Sequence, residues 1–144
     1  MATFKVTTFI DRPPQKVFDF MTDPATQSQW QSGTKSAKWV SEGPVGVGSV
    51  YQGVTALLGR EMTLDAEITQ WDPPNMWGLK ANSGPMHIEG TMTFEPKDGG
   101  TLVIQDFQGE LGGLFNIAEG LAVKQLEKQV ASDGQTLKKI LEAS

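Results

Sequence analysis

The chain has 144 residues, 38% of them hydrophobic, with 16 glycines, 8 prolines and no cysteine. That length suits one domain over residues 1–144 that buries about 70% of its unfolded surface, and with no cysteine there is no disulfide evidence of an oxidising compartment. The net charge of −5, with 12 basic residues scattered among 17 acidic ones, opposes approach to a phosphate backbone, so nucleic acid is excluded as a partner.

The opening MATFKVTTF has no basic segment followed by an apolar one, and no apolar run approaches bilayer length. The expected location is therefore the cytoplasm, with no transmembrane segment. Phe4 to Ile10 is a β-rich run that stops at Asp11, Arg12 and the pair Pro13-Pro14. Val17, Phe20 and Met21 then fall at i, i+3, i+4, the spacing of a short amphipathic helix. Asp23-Pro24 breaks it and caps a second short helix that runs through Ala25 and Gln27 to Trp30.

From Lys35 to Glu110 the hydrophobic period is close to two. Met62, Leu64, Ala66 and Ile68 alternate with Glu61, Thr63, Asp65 and Glu67, and Ile88, Gly90, Met92 and Phe94 alternate with His87, Glu89, Thr91 and Glu95, as half-buried antiparallel strands do. Turn signals fall at Glu42 to Gly46, Leu57 to Gly59, Asp72 to Asn75, Asn82 to Pro85 and Lys97 to Gly100, which predicts six further strands and seven in all. Trp39 is expected to begin the first of the six, and Trp71, sharing a face with Thr69 and Glu67, to lie on the outer side. From Leu114 onward, Ile117, Ala118, Leu121, Leu126, Val130, Leu137, Ile140 and Leu141 recur at helical spacing without a proline. The prediction is a helix of more than 25 residues, roughly 40 Å long. Ile10, Val17, Phe20, Ile68, Phe94, Leu121 and Leu137 are expected in the core, each on the apolar face of its element. The Lys124, Lys128, Lys138 and Lys139 group is interleaved with Glu119, Glu127 and Glu142, which marks a solvated helix face rather than a basic patch.

Ile10-Asp11, Pro13-Pro14, Val17-Phe18, Phe20, Asp23-Pro24 and Trp30 together resemble the START-like superfamily, also called SRPBCC or helix-grip, and within it the polyketide cyclase/dehydrase-like group. Gly46-Val47-Gly48-Ser49-Val50-Tyr51, Ile68 to Pro74 and Gly99-Gly100-Thr101 extend the resemblance over almost the whole chain. It implies an α+β helix-grip fold: a seven-stranded curved antiparallel sheet wrapped around a long C-terminal helix, with two short helices between strands 1 and 2. The superfamily spans ligand carriers, lipid-transfer domains, hormone receptors, cyclases and chaperone-associated modules.

A curled sheet closed over one helix cannot fill its middle as a sandwich does, so an interior space is expected. Placing Tyr51 and Phe107 inward sets Ser49, Gly53 and Thr55 beside the first and Val103 and Gln105 beside the second, while Trp77, Leu79 and Ala81 form another inward row. For each of these residues ordinary core packing is the competing reading. Trp30 is placed to wall either the pocket or the helix junction. Leu57-Leu58 puts two leucines at a hairpin tip, where an apolar pair marks a lid, an interface or a small satellite core with Phe115. In the resemblance this tip is the gate loop of the cavity mouth. Ser83 to His87, with Met86, is the facing loop, and Leu111 to Phe115 closes the third side. Leu114, Ile117, Ala118 and Leu121 then line the cavity from the helix.

Signals for catalysis are thin. With one histidine, His87, and no cysteine, a zinc site would need several carboxylates. No Gly-x-Ser-x-Gly elbow occurs, and Ser32-Gly33-Thr34-Lys35 lies in a polar loop. Gly46-x-Gly48 enters a strand rather than a helix, so it cannot seat a phosphate on a helix terminus. No catalytic residue, metal or cofactor is assigned. Glu61 is the best-placed carboxylate for a raised pKa, against a plain solvated role, and His87 is expected at the rim as a surface group. Three functions stay open: a carrier or sensor of a small hydrophobic molecule such as a lipid, polyketide or quinone, a cyclase or dehydratase using the same cavity, and a protein-interaction module acting through Leu57-Leu58.

Overall fold

The computed structural model describes residues 2–57, 59–84, 86–111 and 118–144. In chain order these form β1 (Ala2–Ile10), α1 (Pro14–Met21), a 3-10 turn (Pro24–Thr26), α2 (Gln27–Trp30), β2 (Thr34–Trp39), β3 (Val50–Leu57), β4 (Arg60–Asp72), β5 (Met76–Ser83), β6 (Met86–Lys97), β7 (Gly100–Glu110) and α3 (Glu119–Glu142). The seven strands make one antiparallel sheet in the order β1-β7-β6-β5-β4-β3-β2. After β1 the chain crosses to the far edge by way of α1 and α2, then returns strand by strand as a meander.

Local chemistry explains the breaks. Pro14 occupies the first turn of α1, where a missing N–H costs nothing. Asp23 caps the following turn, its Oδ1 accepting from the Ala25 N–H at 3.0 Å. The β6–β7 hairpin turns on Asp98 and Gly99, both at positive φ (49° and 80°), the conformation that matches the twist of the flanking strands.

Two apolar clusters occupy the inner face. The larger joins Ile10, Val17, Phe18, Met21, Trp30, Ile68, Trp77, Met92, Phe94, Val103, Leu137 and Leu141, which brings α1, α2 and the C-terminal half of α3 onto the sheet. The smaller joins Met86, Leu111, Ala122 and Leu126, with Phe4, Leu64, Ile88 and Val130 against it.

Four expectations need correction. Trp71 lies inside, edge-on to Phe18 with ring centroids 5.2 Å apart. A register shift between Ile68 and Gln70 reverses the alternation of β4, so Ile68 and Trp71 share the inner face. Trp39 ends β2 rather than beginning it. The long helix starts at Glu119, because Ala118 is extended (φ −60°, ψ 139°), and its 24 residues fall short of the expected length. Leu121 is 50% exposed. The buried seam runs through Ala122, Leu126, Gly134, Leu137 and Leu141, and Leu121 sits one residue, about 100° of rotation, away from Ala122 on it. The other core expectations hold, with Phe20 half-buried beside the fully buried Phe18.

α3 is fastened at its C-terminal end. Arg12 donates to the carbonyls of Glu142 and Ser144, capping the helix's last turn. The Asp11 N–H donates to Glu142 Oε2 at 2.9 Å, and Lys138 Nζ donates to the Phe9 carbonyl at 2.7 Å. One turn further in, a Cβ on Gly134 would lie 2.7 Å from Thr8 Oγ1, so only glycine permits this helix–strand approach. By contrast, a Cβ on Gly120 would meet nothing within 4 Å. Gly134→Ala is therefore expected to lower the melting temperature despite alanine's better helix propensity. Gly120→Ala is expected to raise stability by about 0.5–1 kcal/mol. Chemical denaturation of the two variants beside the parent checks both signs.

Candidate functional site

Between the two clusters the inner face does not close. A cavity of about 170 Å³ remains, bounded by β3, β4, β5, β6 and β7 on one side and by α2, the start of β2 and α3 on the other. Its sheet side is mostly apolar: Gly53, Leu64, Ala66, Leu79, Ala81, Ile88 and Phe107, with Leu126 and Val130 opposite from α3. These follow from the two-residue period of the strands, with partners such as Gly53 and Leu64, or Ala66 and Ala81, directly across from each other in register. Gly90 helps to shape the wall. A Cβ there would lie 2.5 Å from the Phe107 ring, so the glycine lets that ring lie across β6, where it also stacks on Phe4 at 5.3 Å.

The other end is polar. Gln27, Gln31, Thr34, Tyr51, Thr55, Gln129 and Asp133 converge there. Thr34 Oγ1 donates to Gln31 Oε1 at 2.7 Å and stands 3.4 Å from Thr55 Oγ1. Burial pushes the Tyr51 phenol up to about 12, partly opposed by a hydrogen bond with the Gln27 side chain, so it stays protonated at neutral pH. Asp133 is only 6% exposed. It accepts from the Ser32 N–H at 3.1 Å, and desolvation raises its pKa above the ordinary aspartate value against the pull of its hydrogen bonds with Ser32.

The residues anticipated for the site divide as follows. Tyr51, Gly53, Thr55, Leu79 and Phe107 line this cavity. Trp30, Trp77 and Val103 are built into the larger cluster, Met86 into the smaller, and Gln105 is buried in β7 away from the cavity lining. The indole N–H groups of Trp30 and Trp77 are buried without an acceptor among the described residues. Ala118 and Leu121 are exposed and do not reach the cavity. Leu58, Leu114 and Ile117 lie outside the described residues, as does the side chain of Leu57, so the expected lid and rim fall there too.

Glu61 is an exposed residue ion-paired with Lys35, not a buried carboxylate. That part belongs to Asp133, which went unnoticed inside a charged helix. Its signal was nonetheless present: Asp133 stands seven residues after Leu126 and four before Leu137, on the apolar stripe itself. His87 faces outward from β6, its Nδ1 2.6 Å from Asn82 Oδ1 and its Nε2 3.2 Å from Glu89 Oε1. Hydrogen bonds from Gln108 and then His87 hold the Glu89 carboxyl below its usual range. On that same outer face an open trough of about 410 Å³ is lined by Thr69, Gln70, Thr91, Asp106 and Gln108. It is wider than the inner cavity but polar and solvated, with nothing to desolvate a ligand. Among the described residues no group of three His, Asp or Glu side chains could hold a metal ion, and no helix is long and apolar enough to cross a membrane.

The family model described as polyketide cyclase/dehydrase and lipid transport matches residues 1–142. The chain belongs to that family. Solved structures agree on the fold. TTHA0849 from Thermus thermophilus superposes with a TM-score of 0.83 at 23% identity, covering 99% of both chains. A START superfamily protein from Mycobacterium smegmatis superposes with a TM-score of 0.84 at 12% identity, over 98% of this chain and 97% of that one. The di-domain ARO/CYC BexL superposes with a TM-score of 0.78 at 18% identity, covering 96% of this chain and 49% of that one. No curated protein matches the chain.

The raised pKa of Asp133 has a direct consequence for stability. Between the unfolded value, about 3.9, and the higher folded one, the native state holds more protons than the unfolded state. Stability therefore falls as pH rises through that window, because ionisation of the folded protein's Asp133 carries a desolvation cost. Asp133→Asn, whose amide oxygen can still accept from Ser32, is expected to melt above the parent at pH 7. The gain should shrink as pH falls through that window and be absent below about 4. Thermal unfolding of both proteins across the pH range tests this.

Proposed function

We propose that the chain binds a small, predominantly hydrophobic molecule in the cavity between its two apolar clusters, as a carrier or sensor. One observation carries the reading: the inner face is closed at both ends by well-packed core and open between them. Protein interiors leave few voids larger than a water molecule, and one water needs only about 10–15 Å³. A space of about 170 Å³ walled mainly by aliphatic and aromatic side chains is thus far beyond a packing defect, and its mixture of apolar wall and a few polar groups is the composition that small-molecule sites share. The family's lipid transport members and the START superfamily neighbour support the same reading.

A second reading, a cyclase or dehydratase, is favoured by one feature. Asp133 is the only carboxylate on the described cavity lining, it shares that lining with the protonated Tyr51, and its raised pKa suits a proton-transfer group. The ARO/CYC neighbour points the same way. Nothing described favours the interaction module, since Leu58 and the Leu57 side chain lie outside the described residues.

An apolar fluorescent probe is expected to bind the parent saturably. A Cβ on Gly53 would find only ordinary contacts, 3.7 Å to the Ser36 carbonyl oxygen and 3.9 Å to the Ala37 Cβ. Gly53→Phe should therefore push its ring into the cavity and abolish probe binding, while losing less than the roughly 1–3 kcal/mol that overfilling a packed core costs. No saturable binding by the parent, or a loss of several kcal/mol in the variant, would sink the carrier reading. His87→Ala, on the opposite face of β6, should leave probe affinity within about tenfold, or 1.4 kcal/mol, as measured by the same titration.

A further inference from the structure

Asp133 is an unusual choice for the wall of an apolar cavity. Its side chain is 6% exposed, and its described partners are the Ser32 N–H and the Ser32 side chain, both neutral. It takes part in none of the ion pairs among the described residues. The described lining holds no Lys, Arg or His, and the other polar groups of that end, Gln27, Gln31, Thr34, Tyr51, Thr55 and Gln129, are uncharged at neutral pH. Buried charges in proteins are paired or they are costly. Among the described residues no cation is paired with it, and it borders the cavity.

We propose that the ligand is a hydrophobic amine, its ammonium group bound by the Asp133 carboxylate at the α2–α3 end and its apolar body lying along Leu79, Ala81, Ile88 and Phe107. The proposal rests on the reading of the cavity as a ligand site and narrows it to one class of ligand. An ammonium has three N–H donors. One meets Asp133, and the amide and hydroxyl oxygens around it can accept the others, although Gln31 Oε1 already accepts from Thr34. The Tyr51 ring at that end adds π surface of the kind that attracts cations. A neutral alcohol would be served by the glutamines and threonines alone and gives no reason for a buried carboxylate. A carboxylic acid would set like charge against it. The net charge of −5 favours the approach of a cation.

Three probes of nearly equal shape, benzylamine, benzyl alcohol and benzoate, separate these cases by calorimetric titration of the full chain at pH 7. Benzylamine is expected to bind at least tenfold tighter than benzyl alcohol, and benzoate not to bind. Asp133→Asn should bring the amine-to-alcohol ratio close to one, and Gly53→Phe should block benzylamine, which places it in the cavity. Equal affinity for amine and alcohol in the parent protein overturns the amine assignment while leaving a cavity that binds apolar molecules. Retention of the amine preference in Asp133→Asn overturns it as well. If neither these probes nor the apolar fluorescent probe binds, the ligand-site reading fails and takes the amine with it. Should Asp133→Asn not fold, the comparison of amine with alcohol in the parent still decides.

Discussion

Where α3 crosses β1, Gly134 lets the helix backbone come close to the Thr8 hydroxyl, and the spacing between helix and sheet is set by that approach together with the Arg12 and Lys138 contacts one and two turns beyond. On the C-terminal side of this point Leu137 and Leu141 are pressed into a continuous core with α1 and α2. On the N-terminal side Ala122 and Leu126 pack into the smaller cluster with Met86 and Leu111. The cavity is the ground between, lined by Leu126, Gln129, Val130 and Asp133 of the same helix. Its polar end lies where it does because α2 and the start of β2, the link between the sheet's two edges, pass over that gap and bring Gln27, Gln31 and Thr34 to it.

Much of this was legible without coordinates. Strong two-residue alternation in β4 and β6, proline and glycine punctuation at every hairpin, and the Asp23-Pro24 break between the short helices each have a direct physical cause in local geometry. They led to the right element order. The resemblance supplied the closure into a helix-grip fold, and the family match bears it out. The failures are equally physical. Alternation cannot see a bulge, and one register shift in β4 was enough to turn Trp71 inward. Helical spacing marks a stripe about a third of the circumference wide, too coarse to separate Leu121 from its buried neighbour Ala122.

The site was harder to read than the fold. Alternation names inward residues but not which of them meet a partner across the sheet, so Val103 and Trp77, inward like Phe107 and Leu79, ended in solid core. Alternation brings Tyr51 and Thr55 to the polar end, but the rest of it is assembled from α2, the start of β2 and the middle of α3, segments far apart in sequence and individually unremarkable as glutamine, threonine and aspartate. Asp133 shows the general point. A carboxylate on an apolar stripe contradicts the pattern that folds the helix, and local contradictions of this kind concentrate where a protein does something other than fold. The stability that Asp133→Asn is expected to recover is the measure of what the position costs the empty protein.

The meander leaves β2 as an outer strand of the sheet, with a row of backbone donors and acceptors not taken up by another strand. That strand is only six residues long, is interrupted by a register shift between Thr34 and Ser36, and exposes Lys35 and Lys38. Short length, irregularity and lysines are the features by which natural sheets discourage a second copy from docking edge to edge. Thr34, which flanks that register shift, also belongs to the cavity's polar end. Substitutions that regularise β2 to strengthen the sheet would thus act on two properties at once, disturbing the polar end of the cavity while opening a route to strand-by-strand aggregation.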